Sequence, residues 1–229
     1  MSKPDKRAIR EKERRRANRE AILHAAEAVI RRKGLSATSM DDVAVEAGFS
    51  KPTVYRYVRT KAALVCELMI HYLEDVARAL EDILARGVPP REKLLDLVRY
   101  LFRYQFEKAG LTRYFILDRS FHKILHVFVA PAAKKGSAEE RKFLHRIKSL
   151  RREVMAKGTA LFEEGIASGD FRPTDVRQAV LFLSSVVQGY VHEQFWNENK
   201  PNLENDVKTM CAFILHGIER PQPQQGATA

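Results

Sequence analysis

Residues 48–61, GFSKPTVYRYVRTK, place four cationic and three aromatic side chains in one short segment. Lysine and arginine pair with phosphate, and threonine and tyrosine hydroxyls form hydrogen bonds with phosphates or base edges. Lys51 and Lys61 each fall in the first turn of a predicted helix, where a cation opposes the positive end of the helix dipole. A phosphate bound at each helix N-terminus would remove this conflict. Charge alone favours two surface lysines without a binding role. Phosphate contact is predicted only when the surrounding helices are considered as well.

Two short predicted helices and a glycine-containing turn position these side chains. Residues 40–47, MDDVAVEA, predict a helix with acidic residues in its first turn and Ser39 as its N-cap. Gly48 permits the left-handed backbone that ends this helix. Ser50 can cap the next helix, over about residues 51–57, which is too short to be stable alone.

The second helix has an inward and an outward face. Val54 and Val58, four residues apart, would face inward, and small Ala44 lets the two helices cross closely. The pattern matches a helix-turn-helix over about residues 39–58. The side chains left facing outward are Lys51, Thr53, Arg56 and Tyr57. Such a helix reads base edges in the major groove, so the pattern and the lysines together predict contact with DNA.

Positive charge is concentrated near the start of the chain. The 229 residues carry a formal net charge of +11, and residues 1–64 hold 16 Lys and Arg against 8 Asp and Glu. A small basic head on a nearly neutral body is typical of a polyanion-binding module. A non-specific, nucleoid-type protein that coats DNA is an alternative, and it would differ from a regulator in its specificity for one site.

Other classes of function find little support in the sequence. The chain has no apolar run long enough for a membrane span and no apolar region of a secretory signal, which predicts a cytoplasmic protein. Cys66 and Cys211 are too few for a disulfide scaffold and would form a redox pair only if they met in space. His122 and His126 have a metal-compatible spacing, but no carboxylate motif accompanies them. Without a nucleophile–base pair or a phosphate loop, we expect no enzyme, cofactor or metal.

Helical periodicity dominates the chain and predicts an all-α protein. The predicted helices cover about residues 17–33, 40–47, 51–57, 60–86, 90–109, 112–128, 138–168, 174–198 and 203–219. A strand competes over residues 113–130, which are β-branched and aromatic, but no second strand is available to pair with it. The expected parts are a basic flexible extension (1–16), an N-terminal three-helix helix-turn-helix DNA-binding domain (17–64), a C-terminal helical ligand-binding and dimerisation domain (65–219) and a flexible tail (220–229).

The last two predicted helices are apolar around most of their circumference, so each must be buried on more than one side. Two such helices suit a four-helix interface with a two-fold mate, where Gly189 would allow close approach. Doubly buried core helices within a monomer are the alternative. The residues predicted for dimerisation are Phe182, Val186, Gly189, Tyr190, Phe213 and Ile214.

Residues 22–65, ILHAAEAVIRRKGLSATSMDDVAVEAGFSKPTVYRYVRTKAALV, resemble the TetR (tetracycline repressor) family of bacterial transcriptional regulators. Residues 161–180 are weakly similar to the approach to the dimerisation helices of that family. The resemblance implies a homodimeric, ligand-responsive repressor that binds a palindromic double-stranded DNA operator. Val58 stands where many members carry Phe, a change that affects packing. The DNA contacts that the resemblance implies are Ser39, Lys51, Pro52, Thr53, Tyr55, Tyr57 and Lys61.

The resemblance also implies a small, largely apolar effector bound in the C-terminal domain. Aromatic residues gather there, although a group of aromatics is more often simply a core. The candidate pocket residues are Tyr104, Phe115, His122, Phe162, Phe182 and Tyr190. The basic extension, with nine Lys and Arg against three acidic residues in residues 1–19, would either reach an adjacent minor groove or remain a solvated tail.

Overall fold

The computed structural model of the chain describes residues 6–107, 138–193 and 202–218. These residues form α1 (Lys6–Lys33), α2 (Met40–Ala47), α3 (Lys51–Tyr57), α4 (Lys61–Leu84), α5 (Pro90–Glu107), α6 (Ala138–Ser168), α7 (Val176–Glu193) and α8 (Leu203–Ile218). The all-α prediction is confirmed. The helix predicted over residues 112–128, and its strand alternative, lie outside the described residues. Within the described part, none of the helices is both long and apolar enough to cross a membrane.

The first helix begins earlier than the sequence analysis predicted. Helix α1 starts at Lys6, so residues 6–16 are helical and the expected start near residue 17 is wrong. The segment contains neither glycine nor proline and consists mainly of strong helix formers. Glu11 forms ion pairs with Arg14 and Arg15, three and four residues away, at 2.8 and 3.2 Å. Pairs at this spacing support a helix even where no core covers it.

The chain divides into two compact units between Tyr72 and Leu73, within α4. Among the described residues, the first unit contains residues 6–72 and 138–148, and the second contains residues 73–107, 149–193 and 202–218. The functional domain boundaries predicted from the sequence stay predictions.

The core of the first unit holds the short helices α2 and α3 in place. Helix α2 packs against both α1 and α3. Val54 and Val58 are 0% and 1% exposed, so α3 is anchored through its inward face. Each such burial stabilises the fold by about 1.5–3 kcal/mol, which compensates for the instability of a seven-residue helix on its own. The core includes Ile22, Leu23, Ala25, Ala26, Ile30, Leu35, Met40, Val43, Ala44, Ala63, Leu64, Val65 and Leu68.

In the second unit, α5 packs against both α7 and α8. The buried apolar residues at the centre of these helices include Leu94, Val98, Phe102, Val180, Leu183, Val187, Val207, Cys211 and Leu215. Two further contacts fix α6. The buried ammonium group of Lys93 donates to the Leu84 carbonyl at 3.0 Å and to the Glu164 carboxylate at 2.7 Å. The Phe171 ring covers Gly165 so closely that a Cβ atom there would overlap the ring.

Candidate nucleic-acid interface

The start of α2 is fixed by a reciprocal cap. The Asp42 amide donates to the Ser39 hydroxyl at 3.1 Å, and the Ser39 amide donates to the Asp42 carboxylate at 3.0 Å. Lys33 also donates to this carboxylate at 2.6 Å. The hydrogen bonds from Lys33 and Ser39 hold the pKa of Asp42 well below its usual value. The cap therefore satisfies the first backbone amides of α2, and the bond from Lys33 links its start to the end of α1.

The turn between α2 and α3 has the backbone that the sequence predicted. Gly48 has φ 67° and ψ 25°, the left-handed conformation that glycine adopts without strain. The Phe49 amide then donates to the Ala44 carbonyl at 3.0 Å, which closes the end of α2. The hydroxyl of Ser50 accepts from the Thr53 amide at 3.4 Å and starts α3. Because these bonds span only a few residues, they follow directly from the local sequence.

The outward side of α3 presents most of the residues predicted to contact DNA. Lys51, Pro52 and Tyr55 are exposed, and Thr53 is half-buried. The hydroxyls of Thr53 and Ser50 lie 2.8 Å apart, so the Thr53 side chain has a defined orientation. A hydroxyl held in this way is suited to one hydrogen bond at a base edge, and the threonine methyl group can contact a thymine methyl group. Ser39 is exposed too, but its hydroxyl is occupied by the cap of α2.

Lys51 is paired with a residue of the preceding helix. Its ammonium group lies 2.8 Å from the Asp41 carboxylate, and both side chains are more than half exposed. The hydrogen bond to Asp41 raises the pKa of Lys51, which keeps the lysine charged. An exposed pair of this kind contributes little net stability, so phosphate can replace the carboxylate at small cost.

Lys61 has a role within the protein that its sequence position did not reveal. Its ammonium group donates to the Ser36 carbonyl at 3.1 Å, in the connection between α1 and α2. Thr60 caps α4, because its hydroxyl accepts from the Ala63 amide at 3.0 Å. The bond to Ser36 explains why a lysine is tolerated in the first turn of α4. Its predicted contact with phosphate stays a prediction.

Tyr57, near the end of α3, is held from α1. The side-chain amide of Asn18 donates to the Tyr57 hydroxyl at 3.0 Å. The Arg56 guanidinium lies 5.4 Å from the centre of the Tyr57 ring. The hydrogen bond from Asn18, with a smaller contribution from Arg56, lowers the pKa of Tyr57. Since the Tyr57 oxygen accepts from Asn18, its own proton is directed elsewhere and is available to an acceptor such as phosphate.

A second contact of α1, also missed from the sequence, fixes α4. Two guanidinium nitrogens of Arg19 each lie 2.6 Å from a different oxygen of the Glu67 carboxylate. The Glu67 side chain is only 6% exposed, while that of Arg19 is 47% exposed. Asn18 and Arg19 therefore connect adjacent positions of α1 to α3 and to α4. One feature of the sequence indicated the Asn18 contact. Asn18 lies four residues before buried Ile22, which places it on the side of α1 that faces the core.

The candidate effector residues that the structure describes lie in different environments of the second unit. Tyr104 donates to the Asp75 carboxylate at 3.1 Å. Phe162 is 1% exposed and contacts the Phe171 ring at 5.8 Å between centroids. Tyr190 stacks on Phe102 at 4.8 Å. The remaining candidates are exposed Phe182, and Phe115 and His122, which lie outside the described residues together with His126.

The candidate dimerisation residues include the most exposed large aromatic side chains of the second unit's described part. Phe182 on α7 is 61% exposed and Phe213 on α8 is 71% exposed. Leu181 is a further exposed apolar residue of α7, at 48%. Gly189 is exposed, whereas Val186, Tyr190 and Ile214 are half-buried. Large apolar side chains this exposed are unusual where the surface stays in water.

Comparison with known proteins identifies relatives along most of the chain. A sequence model described as "Bacterial regulatory proteins, tetR family" matches residues 22–68, and one described as "QacR-like protein, C-terminal region" matches residues 133–220. Together the two ranges span more than half of the chain. The chain is 24% identical over 213 residues to the HTH-type transcriptional repressor KstR2 of Mycolicibacterium smegmatis, covering 92% of this chain and 95% of that protein.

Solved structures share the fold. The ketosteroid transcriptional regulator KstR2 of Mycobacterium tuberculosis is similar with a TM-score of 0.65 and 21% identity, over 89% of this chain and 95% of that chain. The transcriptional regulator FadR from Bacillus subtilis, in complex with stearoyl-CoA, is similar with a TM-score of 0.64 and 20% identity, over 87% and 99% of the two chains. These likenesses confirm the predicted arrangement of an N-terminal helix-turn-helix followed by a helical C-terminal part.

Proposed function

Because this chain belongs to the TetR family of bacterial regulatory proteins, we propose that it is a homodimeric repressor of transcription that acts in the cytoplasm. Its dimer binds a palindromic operator, and a small, largely apolar effector releases it. The observation that carries this proposal is the arrangement of α3. Buried Val54 anchors the helix to the core, while Lys51, Pro52, Thr53 and Tyr57 lie on its outward side.

In the proposed complex, α3 lies in the major groove with its N-terminal residues towards the bases. The fixed Thr53 hydroxyl contacts a base edge, whereas Lys51 and Tyr57 contact phosphates. Selection of bound fragments from the organism's own DNA should yield one palindromic site. The protein should bind this site at least about 10³-fold more tightly than random duplex, whereas a coating protein would bind both alike.

The role of Thr53 in this reading is testable with a matched pair of variants. Thr53→Ala should lower operator affinity by about fivefold or more while leaving random-duplex affinity unchanged, because only a base contact is lost. Thr174→Ala removes the same groups from an exposed position in the second unit and should change neither. Equal losses on operator and random duplex in Thr53→Ala would contradict a base-reading role.

The proposed dimer buries the exposed faces of α7 and α8 against a second copy. Phe182 and Phe213 would lie at the centre of this four-helix contact, and exposed Gly189 would let the helices approach closely. Phe182→Glu should convert a dimer into a monomer in analytical ultracentrifugation. Val45→Glu, which adds the same charge at an apolar position that is 83% exposed in the first unit, should remain dimeric.

The proposed effector is small and largely apolar, and the family relationship suggests a place to begin. FadR from Bacillus subtilis was solved in complex with stearoyl-CoA. Stearoyl-CoA, stearic acid and free coenzyme A are therefore suitable first probes. If stearoyl-CoA and stearic acid release a labelled operator from the protein and free coenzyme A does not, the result would support an apolar effector. Release by coenzyme A alone would contradict it.

A further inference from the structure

The helical extension of α1 carries a row of arginines on one side. Arg7, Arg10 and Arg14 are spaced three and four residues apart, which places them on one face of the helix. We call them the α1 stripe. All three are exposed, and Arg10 has no ion-pair partner among the described residues. From residue 6 to residue 16 the helix holds seven Lys and Arg against Glu11 and Glu13, so a net positive charge remains after internal pairing.

The α1 stripe ends one helical turn before the contact between α1 and the end of α3. Asn18 lies one turn after Arg14, and its amide is bonded to the Tyr57 hydroxyl at the end of α3. The lowered pKa of Tyr57 comes mainly from its hydrogen bond with Asn18, and the Arg14 charge makes a smaller contribution. Arg56 also lies beside Tyr57, so the bond between Asn18 and Tyr57 joins the end of the stripe to the cationic end of α3.

The helical state of the extension determines which part of DNA it can reach. An α-helix with side chains is about 10–12 Å wide, whereas the minor groove of B-DNA is about 6 Å wide. A flexible arm could enter that groove, but a helix cannot, so its arginines can meet only the phosphates along the groove edges. The eleven residues from 6 to 16 rise about 16 Å, a length that passes several phosphates of one strand.

We propose that the α1 stripe is a second DNA-contacting element, which binds the phosphate backbone beside the groove that α3 enters. The inference rests on the proposed function, because it places α3 on DNA. Its contribution is independent of sequence, since arginine contacts to phosphate carry no base information. The stripe strengthens binding to every duplex and leaves the choice of operator to α3.

Two matched full-length variants distinguish the contribution of the stripe to DNA binding from that of the opposite face of α1. Arg10→Gln/Arg14→Gln removes two stripe cations four residues apart. Lys12→Gln/Arg16→Gln removes two cations with the same spacing from the far side of the helix. Each pair includes one arginine that forms an ion pair within α1, Arg14 with Glu11 and Arg16 with Glu20. Glutamine is a good helix former, and circular dichroism should confirm equal helicity.

The measurement is fluorescence anisotropy with the selected operator and with a random duplex, from 50 to 200 mM salt. Each lost phosphate contact reduces the slope of log affinity against log salt by about 0.9. The stripe variant should lose about 1.8 units of slope on both duplexes, with an unchanged ratio of operator to random affinity. Between the two salt concentrations, its affinity should fall about tenfold less than that of the wild type. The far-side variant should retain the wild-type slope.

Several results would overturn the proposal. Equal slope losses in the two variants would mean that α1 supplies only a general positive field. Unchanged slopes in both variants would mean that this part of α1 does not contact DNA. Loss of binding to phosphatidylglycerol vesicles by the stripe variant, with unchanged DNA slopes, would assign the stripe to a membrane surface. A wild type that prefers no operator would refute the proposed repressor function, while the slopes on random duplex would still report on the stripe.

Discussion

Replacement of Arg19 by Met should destabilise the first unit, because it leaves the Glu67 carboxylate buried without its cation. The two groups form a double contact at 2.6 Å, and the Glu67 side chain is only 6% exposed. With the centres of the two charges about 4 Å apart and an effective dielectric constant of about 20, the attraction is about 4 kcal/mol, which opposes the desolvation cost of the carboxylate. Removing one partner of a buried pair costs about 3–5 kcal/mol. Since Arg19 is half exposed, we expect the free energy of unfolding to fall by about 3 kcal/mol, the lower end of this range.

Urea unfolding of the full chain, followed by circular dichroism, would measure this loss. Arg16→Met is the control, since Arg16 and Glu20 are 82% and 46% exposed and their pair should be worth less than about 1 kcal/mol. The double variant Arg19→Met/Glu67→Leu should recover much of the stability, because no buried charge then remains. The reasoning is refuted if Arg19→Met costs no more than Arg16→Met, or if the double variant is no more stable than Arg19→Met alone.

Two further predictions concern contacts that fix α3 and α6. Asn18→Ala removes the hydrogen bond that lowers the pKa of Tyr57, so that pKa should rise in a carbon NMR titration of ring-labelled tyrosine. Its operator affinity should also fall severalfold in anisotropy; an unchanged pKa would contradict the contact. Gly165→Ala should cost about 1–3 kcal/mol in thermal unfolding, because the new Cβ meets the Phe171 ring. Gly87→Ala, which meets nothing within 4 Å, is its control and should be nearly neutral.

The helix-turn-helix could be predicted in detail because its determinants are local. The caps by Ser39 and Ser50 and the left-handed Gly48 each involve atoms only a few residues apart. Such interactions depend on residue types and spacing, which the sequence states directly. The inward position of Val54 follows from helical periodicity in the same way.

The start of α1 was predicted too late, although the information was present. Residues 1–16 carry much charge and few apolar side chains, a composition that predicted a flexible extension. Charge alone does not prevent a helix when the residues are good helix formers and opposite charges recur at helical spacing. The pairs formed by Glu11 supply this spacing. This difference decides whether the basic segment approaches DNA as an arm or as a rigid helix.

Residue types and spacing were enough to predict helices α2 and α3, their caps and the face of α3 that is turned outward. They could not predict that Asn18 donates to Tyr57, that Arg19 pairs with Glu67 or that Lys61 donates to the Ser36 carbonyl. These partners are 25 to 48 residues apart in the chain. Residue spacing fixes geometry only within a turn or two of a helix, whereas the approach of distant residues depends on how all helices pack around their shared core.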